Sequence, residues 1–182
     1  MINKFAVALA FGLSCVGAAS AQDNKPEETP CDQLSVKISA PSPKCYVLGG
    51  PAYTGGTTYR AGAGLRFAVG SNWFSVGGII PSSQVHIKSS KADEFLSRAQ
   101  RTSQIAREGT EWSPVRTEGN AWVATFVARK MRCFAFDNFG PPKDEGYAWN
   151  MAGTYCDSAT ANADKPFTSD ELKQIIGWVV PK

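Results

Sequence analysis

Four cysteines are the residues of this chain whose type and spacing most clearly suggest chemistry. The sequence has five cysteines in 182 residues, and four lie outside an apolar N-terminal stretch, namely Cys31, Cys45, Cys133 and Cys156. Because no two stand two to four residues apart, and His86 is the only histidine, they predict neither a metal site nor a Cys-x-x-Cys redox centre. An even number in an oxidising compartment instead predicts two disulfides. Of the three possible connectivities, sequence separation favours Cys31–Cys45 and Cys133–Cys156.

A register test supports the second of these bonds. If Cys133 lies opposite Cys156 in an antiparallel hairpin, the turn falls inside residues 139–146, which are rich in glycine and proline. The same register places Phe134 opposite Tyr155, with further aromatic side chains on that face and the cysteines with small residues on the other. Such a division predicts a hairpin that buries one face.

The residue types needed for catalysis or cofactor binding do not form a recognised pattern. His86 stands in a short predicted strand, 84–88, and no Gly-x-Ser-x-Gly nucleophile motif accompanies it. The carboxylate pairs Asp93–Glu94 and Asp144–Glu145 are adjacent in sequence, so the two members do not face each other on a helix or strand. Gly62-Ala63-Gly64 lacks the third glycine and the following helix of a dinucleotide-binding fingerprint. The sequence therefore predicts no enzyme, no cofactor and no metal.

A basic run and two aromatic residues are the candidates for binding a partner. Arg129, Lys130 and Arg132 lie close together at a point where the chain is expected to bend. Tyr147 and Trp149 lie near the predicted hairpin turn. Arginine, tyrosine and tryptophan are the residues that most often dominate binding energies at interfaces. The alternative is that the basic residues are solvated surface and the aromatic residues are core, since large apolar side chains are usually buried.

The first 21 residues have the pattern of an export signal. Lys4 provides a positive charge, an apolar stretch follows, and Ala19-Ser20-Ala21 provides a small-x-small cleavage site. The apolar stretch is too short for a spanning helix and ends in polar residues, so no transmembrane segment is expected in the mature chain. Cleavage would remove Cys15 and leave a flexible, acidic linker over residues 22–30. The expected location is the bacterial periplasm or the outside of the cell.

Residues 31–182 are expected to form a single domain in which strands dominate. Short apolar or alternating runs predict strands over 34–39, 45–48, 65–69, 73–80, 84–88, 112–117 and 121–137. The first two would form a hairpin that the Cys31–Cys45 bond holds to the start of the chain. The last run has seventeen residues and is longer than an ordinary strand, so a bulge or bend is expected near residues 129–132.

Two helices complete the predicted domain. The first covers residues 91–108, with Ser90 as its capping residue and Asp93 three positions later. Its apolar side chains recur at helical spacing, and they are Ala92, Phe95, Leu96, Ala99 and Ala106. The second helix begins at Thr168, with Glu171 completing a capping box. Its apolar stripe consists of Leu172, Ile175, Ile176 and Val179.

The predicted fold class is α+β. A mainly antiparallel sheet would combine the N-terminal strands with a C-terminal meander, and one central helix and one C-terminal helix would pack against it. Two disulfides would stabilise this domain.

The charge distribution would suit an anionic partner, although solvated surface lysine and arginine would give the same distribution. Residues 60–143 hold twelve basic and six acidic side chains, whereas residues 144–182 hold three basic and six acidic ones. Nucleic acid is excluded because export removes the chain from the cytoplasm. The sequence thus predicts a non-enzymatic binding protein of the bacterial cell envelope whose partner is a protein or an anionic envelope component. Two alternatives stay open: an inhibitor or immunity-type protein that presents the loop 139–147, and a small secreted hydrolase or toxin-like enzyme.

Overall fold

The computed structural model describes most of the chain downstream of residue 25. The described residues are 26–34, 36–48, 59–61, 65–69, 72–81, 91–143, 146–159, 162 and 164–182. Several predicted features fall outside them, namely the signal peptide 1–21, Gly62–Gly64, the strand 84–88 with His86, Ser90 and the pair Asp144–Glu145. Within the described residues the fold is α+β with mainly antiparallel sheets, three helices and two disulfides, so the predicted class is confirmed.

Most strands belong to one antiparallel sheet. In chain order they are β1 (Pro26–Thr29), β2 (Val36–Ile38), β3 (Lys44–Leu48), β4 (Tyr59–Ala61), β5 (Leu65–Val69), β6 (Asn72–Pro81), β7 (Arg116–Glu118), β8 (Ala121–Ala128), β9 (Met131–Phe139), β10 (Pro142–Lys143), β11 (Gly146–Tyr147), β12 (Asn150–Asp157) and β13 (Val179–Pro181). Their order across the large sheet is β1-β3-β5-β6-β12-β9-β8-β7, and β4 pairs with the end of β6. The short strands β10 and β11 extend the β9–β12 hairpin as a ribbon, and β2 pairs with β13 in a separate small sheet.

The β9–β12 hairpin has the predicted register. Cys133 lies opposite Cys156, and Phe134 lies opposite Tyr155. The same register continues into the β10–β11 ribbon. The predicted bond Cys133–Cys156 is formed, with a Cα separation of 4.2 Å, so a cross-strand disulfide ties the two central strands together.

The central helix is broken into two. It consists of α1 (Ala92–Thr102) and α2 (Gln104–Arg107), whereas the sequence predicts one helix. The break lies at Ser103, whose hydroxyl accepts a hydrogen bond from the backbone N–H of Ala106 at 3.2 Å and so caps α2. At the start of α1 the capping carboxylate is Glu94, one position later than the predicted Asp93, and it accepts from the backbone N–H of Lys91 at 3.3 Å.

The C-terminal helix is the one that the sequence predicts best. In α3 (Ser169–Ile176), the N–H of Thr168 donates to the Glu171 carboxylate at 2.8 Å, and the N–H of Glu171 donates to the Thr168 hydroxyl at 3.2 Å. Its buried side chains are Leu172, Ile175 and Ile176. The fourth member of the predicted stripe, Val179, is also buried but belongs to β13. None of the helices in the described residues is long and apolar enough to cross a membrane.

Different layers cover the two faces of the large sheet. One face carries the aromatic core, which α3, β2 and β13 cover. Its fully buried members include Phe74, Phe134, Phe136, Met151 and Leu172. On the other face α1 and α2 pack over small side chains, so the prediction that the hairpin buries only one face is wrong. Because Ala124, Ala135 and the disulfide of Cys133 are small, Phe95 of α1 can pack closely against that face.

The long strand predicted over 121–137 is two strands joined by a tight turn. Strand β8 ends at Ala128 and β9 begins at Met131, and the connecting residues Arg129 and Lys130 have φ angles of 51° and 61°. Two consecutive left-handed residues form a type I′ hairpin turn, for which Asn-Gly is the usual sequence. The expected bulge or bend is therefore a hairpin turn. Arg-Lys carries none of the usual turn signature, so the alternating pattern alone predicts one strand.

The N-terminal strands pair differently from the prediction. Strand β2 pairs with β13 and forms no hairpin with β3, which instead lies between β1 and β5. Strand β1 occupies residues 26–29 of the predicted flexible linker, so this part of the linker is an edge strand. The disulfide Cys31–Cys45 is confirmed, with a Cα separation of 5.3 Å, and it favours the pairing of β1 with β3. It joins the end of β1 to β3, where Thr29 lies opposite Cys45.

Candidate functional site

The structure divides the predicted basic run into residues with different environments. Arg132 is buried, at 9% exposure, and its guanidinium lies 4.2 Å from the centre of the Phe167 ring. It donates to the Asp157 carboxylate at 2.8 and 3.0 Å and to the Glu171 carboxylate at 2.9 Å. Arg132 thus joins β9, β12 and α3 through a buried ion-pair cluster, and its charge is already neutralised inside the protein.

The two carboxylates of this cluster are held in their charged form. Hydrogen bonds from the backbone N–H of Thr168 and from Arg132 lower the pKa of Glu171. Burial opposes ionisation of Asp157, but hydrogen bonds from the Ala159 N–H, Arg132 and Asn162 together lower the pKa of that carboxyl. The cluster is therefore a structural element whose stability depends on pH.

Arg129 also has a partner within the protein. Its guanidinium donates to both oxygens of the Glu108 carboxylate, at 2.6 and 2.7 Å, in a bidentate pair on the surface. A hydrogen bond from Arg129 is the main cause of the lowered pKa of Glu108. This pair links the β8–β9 turn to the end of α2, and exposed pairs of this kind contribute little to stability.

Lys130 has an environment unlike that of either arginine. It is exposed, and among the described residues its ammonium group has neither an ion pair nor a hydrogen-bond partner. Its backbone is left-handed, with φ of 61°. For a residue other than glycine this conformation costs about 1–2 kcal/mol. The fold therefore gives no reason for a lysine at this position.

Lys130 lies at the rim of a groove of about 750 Å³, which we name the charged groove. The floor includes the half-buried Val127 and the buried Phe167. Four exposed charged side chains line it, namely Lys130, Lys165, Glu111 and Asp164. None of the four forms an ion pair within the part of the chain that the structure describes. The groove therefore presents two available positive and two available negative charges around an apolar floor.

The backbone beside the charged groove is already hydrogen-bonded. Strand β7 is shorter than the predicted strand 112–117, but the residues before it still cover the edge of β8. Thr110 and Val127 exchange two hydrogen bonds, at 2.8 and 2.9 Å. The N–H of Ser113 donates to Thr125 at 2.8 Å, and the Ser113 hydroxyl accepts from the Thr125 N–H at 2.9 Å. These bonds occupy the edge of β8 beside the groove, so the side chains that line the groove are the groups considered for recognition.

Tyr147 and Trp149 lie at the opposite end of β9 from the basic run. With nine residues in β9 and about 3.3 Å per residue, its two ends are about 26 Å apart. Both aromatic side chains are half-buried, and the Tyr147 ring lies 4.8 Å from that of Phe139. The two sets of candidate binding residues therefore cannot act as one patch. Trp149 lines a smaller groove of about 300 Å³ near the hairpin tip.

Sequence reasoning missed several polar residues that the fold brings together. Asp137 is only 1% exposed, and it accepts hydrogen bonds from Arg98 of α1 and from Asn150 of β12. This contact fixes α1 over the sheet. The sequence contains one indication of this contact, because Asp137 is an acidic residue at the end of an apolar strand pattern. Glu111 and Asp164 carried no signal, because they stand in loops far apart in sequence.

Side chains that could bind a metal are not clustered in the described residues. No group of three or more histidine, cysteine, aspartate or glutamate side chains is gathered in this part of the chain. Of the adjacent acidic pair Asp93–Glu94, the second residue caps α1.

Comparison with known proteins provides no analogy for this arrangement. The chain matches no protein-family model, no curated protein and no solved structure. The function has to be inferred from the chemistry of the grooves themselves.

Proposed function

We propose that this chain is an exported, non-enzymatic binding protein of the bacterial cell envelope, and that the charged groove holds its partner. The observation that carries the proposal is Lys130. It occupies a left-handed turn position that glycine would fill at lower cost, and its side chain has no partner among the described residues. Departures from local rules that bring no structural gain are expected at functional sites.

The charges of the groove favour a protein segment as the partner. Lys130 and Lys165 would attract carboxylates, whereas Glu111 and Asp164 would attract ammonium or guanidinium groups. A polyanion would meet repulsion from the two acidic residues. A peptide segment that carries both signs of charge, with an apolar side chain for the floor, matches all four charges.

The disulfides support a location outside the cytoplasm. Both lie within residues 31–182, and such bonds persist in oxidising compartments. Together with the N-terminal export pattern, they favour a periplasmic or secreted protein.

A capture experiment tests this proposal. The mature protein, with a crosslinker, is used to recover partners from the cell envelope of its own organism. We expect the Lys130→Ala/Lys165→Ala variant to lose the partner that the wild type recovers. The matched control, Lys37→Ala/Lys44→Ala, removes two exposed lysines outside the groove and should retain it. Equal recovery by the groove variant, or no partner with the wild type, would overturn the proposal.

An inhibitor or immunity-type role is the second candidate, and one observation favours it. The described residues on both sides of the hairpin tip are held together, because Pro142 pairs with Tyr147 and the Ala148 N–H donates to the Pro141 carbonyl at 3.0 Å. A loop whose flanking strands are already paired loses less entropy on inserting into a partner. If replacing residues 142–147 by Asn-Gly abolishes capture while the Lys130→Ala/Lys165→Ala variant retains it, this role replaces the first proposal.

A further inference from the structure

The smaller groove near the hairpin tip has a chemistry of its own. It lies where the β7–β8 turn, the hairpin and the C-terminal end of α3 meet, and its volume is about 300 Å³. We name it the hairpin-end groove. The residues that matter for its chemistry are Trp149, Pro141, Asn120, Asn138 and Lys173.

The indole of Trp149 is held in a fixed position. A Cβ atom on Gly140 would lie 2.6 Å from its Nε1 atom, so the ring lies directly on the glycine backbone. The Gly140 N–H donates to the Trp149 carbonyl at 2.9 Å, which fixes the main chain on both sides of the contact. The ring is thus preorganised, and a ligand that contacts it need not order it.

Two amide side chains in the groove are available to a ligand. Neither the Asn120 nor the Asn138 side chain has a hydrogen-bond partner among the described residues. The main chain of Asn120 is nevertheless fixed, because its carbonyl accepts from the Phe139 N–H at 3.1 Å. Each amide offers both donors and an acceptor, which is the combination that a hydroxyl group requires.

The groove carries little available charge. Glu118 also lines it, but its carboxylate is held by Arg116 at 3.1 Å and by the hydroxyl of Ser169. Lys173 is exposed and has no ion pair in the part of the chain that the structure describes. One free cation is too little for a polyanion. A purely apolar ligand would leave the amides without partners.

We propose that the hairpin-end groove binds a ring of a neutral polysaccharide. A sugar ring has an apolar side, whose polarised C–H groups are attracted to the face of an indole. It also has hydroxyl groups along its rim that both donate and accept hydrogen bonds. Trp149 provides the first contact, and Asn120 and Asn138 provide the second. This site lies towards the opposite end of β9 from the charged groove, and the proposal does not depend on the function proposed for the charged groove.

Nuclear magnetic resonance with defined saccharides tests this proposal. The ¹⁵N-labelled mature protein, with both disulfides formed, is titrated with maltotriose and with triacetylchitotriose. The indole N–H signal of Trp149 is assigned with the Trp149→Phe variant. We expect at least one saccharide to shift that signal in a saturable way. We expect the Asn120→Ala/Asn138→Ala variant, whose changes leave the core intact, to weaken binding by about tenfold.

A matched control decides the outcome. Trp122→Phe changes a half-buried tryptophan on the other face of the sheet, and this variant should bind the neutral saccharide as the wild type does. The proposal is overturned if neither saccharide shifts the Trp149 signal, or if the double asparagine variant binds as tightly as the wild type. A stronger shift with a charged tripeptide than with the saccharides would also overturn it.

Discussion

The two ends of strand β9 show how differently one sheet can use its turns. At the charged groove, Arg129 and Lys130 adopt left-handed conformations that neither side chain favours. At the hairpin-end groove, Gly140 stands where only glycine fits, and Trp149 packs on it. At the hairpin-end groove the residue types suit the local backbone, and packing explains them. At the charged groove they do not suit it, and Arg129 forms an ion pair whereas Lys130 forms none with a described residue.

This comparison changes the interpretation of the basic run. In the sequence Arg129, Lys130 and Arg132 form one positive segment, but Arg132 is buried among carboxylates and Arg129 is paired on the surface. Of these three residues, only Lys130 forms no ion pair with another described residue. A run of like charges in a sequence is therefore no measure of the charge that a surface presents.

The largest effect is expected at Arg132. Replacing it by alanine would leave the buried Asp157 carboxylate without its cation, at a cost of about 3–5 kcal/mol in the free energy of unfolding. The matched change, Arg129→Ala, breaks an exposed pair that solvent screens, and it should lower the free energy of unfolding much less. Denaturant unfolding of both variants measures this difference. An equal decrease in the free energy of unfolding for both variants would contradict the conclusion that Arg132 is structural and Arg129 is a surface residue.

A smaller effect is expected at the glycine of the hairpin end. Gly140→Ala would place a methyl group 2.6 Å from the Trp149 indole, and overpacking of this kind costs about 1–3 kcal/mol. Gly119→Ala is the control, because its Cβ would meet nothing within 4 Å and only its φ of +62° opposes the change. Thermal unfolding should show a decrease in Tm for both variants, from overpacking in Gly140→Ala and from backbone strain in Gly119→Ala. An unchanged Tm for Gly140→Ala would mean that the indole does not lie against Gly140.

Acidification should weaken the Arg132 cluster. The pKa values of Asp157 and Glu171 are lowered in the folded state, from ordinary values of 3.8 and 4.5. Their contribution to stability is therefore complete above those ordinary values and is lost as the pH falls through the lower folded-state values. Denaturant unfolding between pH 7 and about pH 3 should show this loss. In the Glu171→Gln variant the decrease below about pH 4.5 should be smaller, and an unchanged decrease would exclude Glu171 as a cause.

Local features of the fold could be predicted from the sequence. The β9–β12 register follows from two cysteines that are 23 residues apart and from the turn between them, and the α3 capping box spans four residues. Short segments of this kind contain most of the information that decides their own structure. The disulfide pairing and the C-terminal helix were therefore predicted correctly.

Long-range features could not be predicted in the same way. The pairing of β2 with β13 joins residues at the two ends of the domain, and no local pattern reports it. Glu111 and Asp164 share a groove with Lys130 only because the fold brings three loops together. The turn at Arg129-Lys130 that separates β8 from β9 could not be predicted, because it contains neither glycine nor asparagine. The absence of these residues also makes Lys130 an unusual residue for a left-handed position.

The claim that Lys130 serves binding is tested most directly by measuring the stability and the partner capture of the Lys130→Gly variant. Glycine suits the left-handed position, so the variant should be more stable by about 1 kcal/mol while the Arg129–Glu108 pair is kept. If Lys130 serves binding, this more stable protein should recover less partner from the envelope than the wild type does. Unchanged recovery by the stabilised variant would contradict the claim that the charged groove is the binding site.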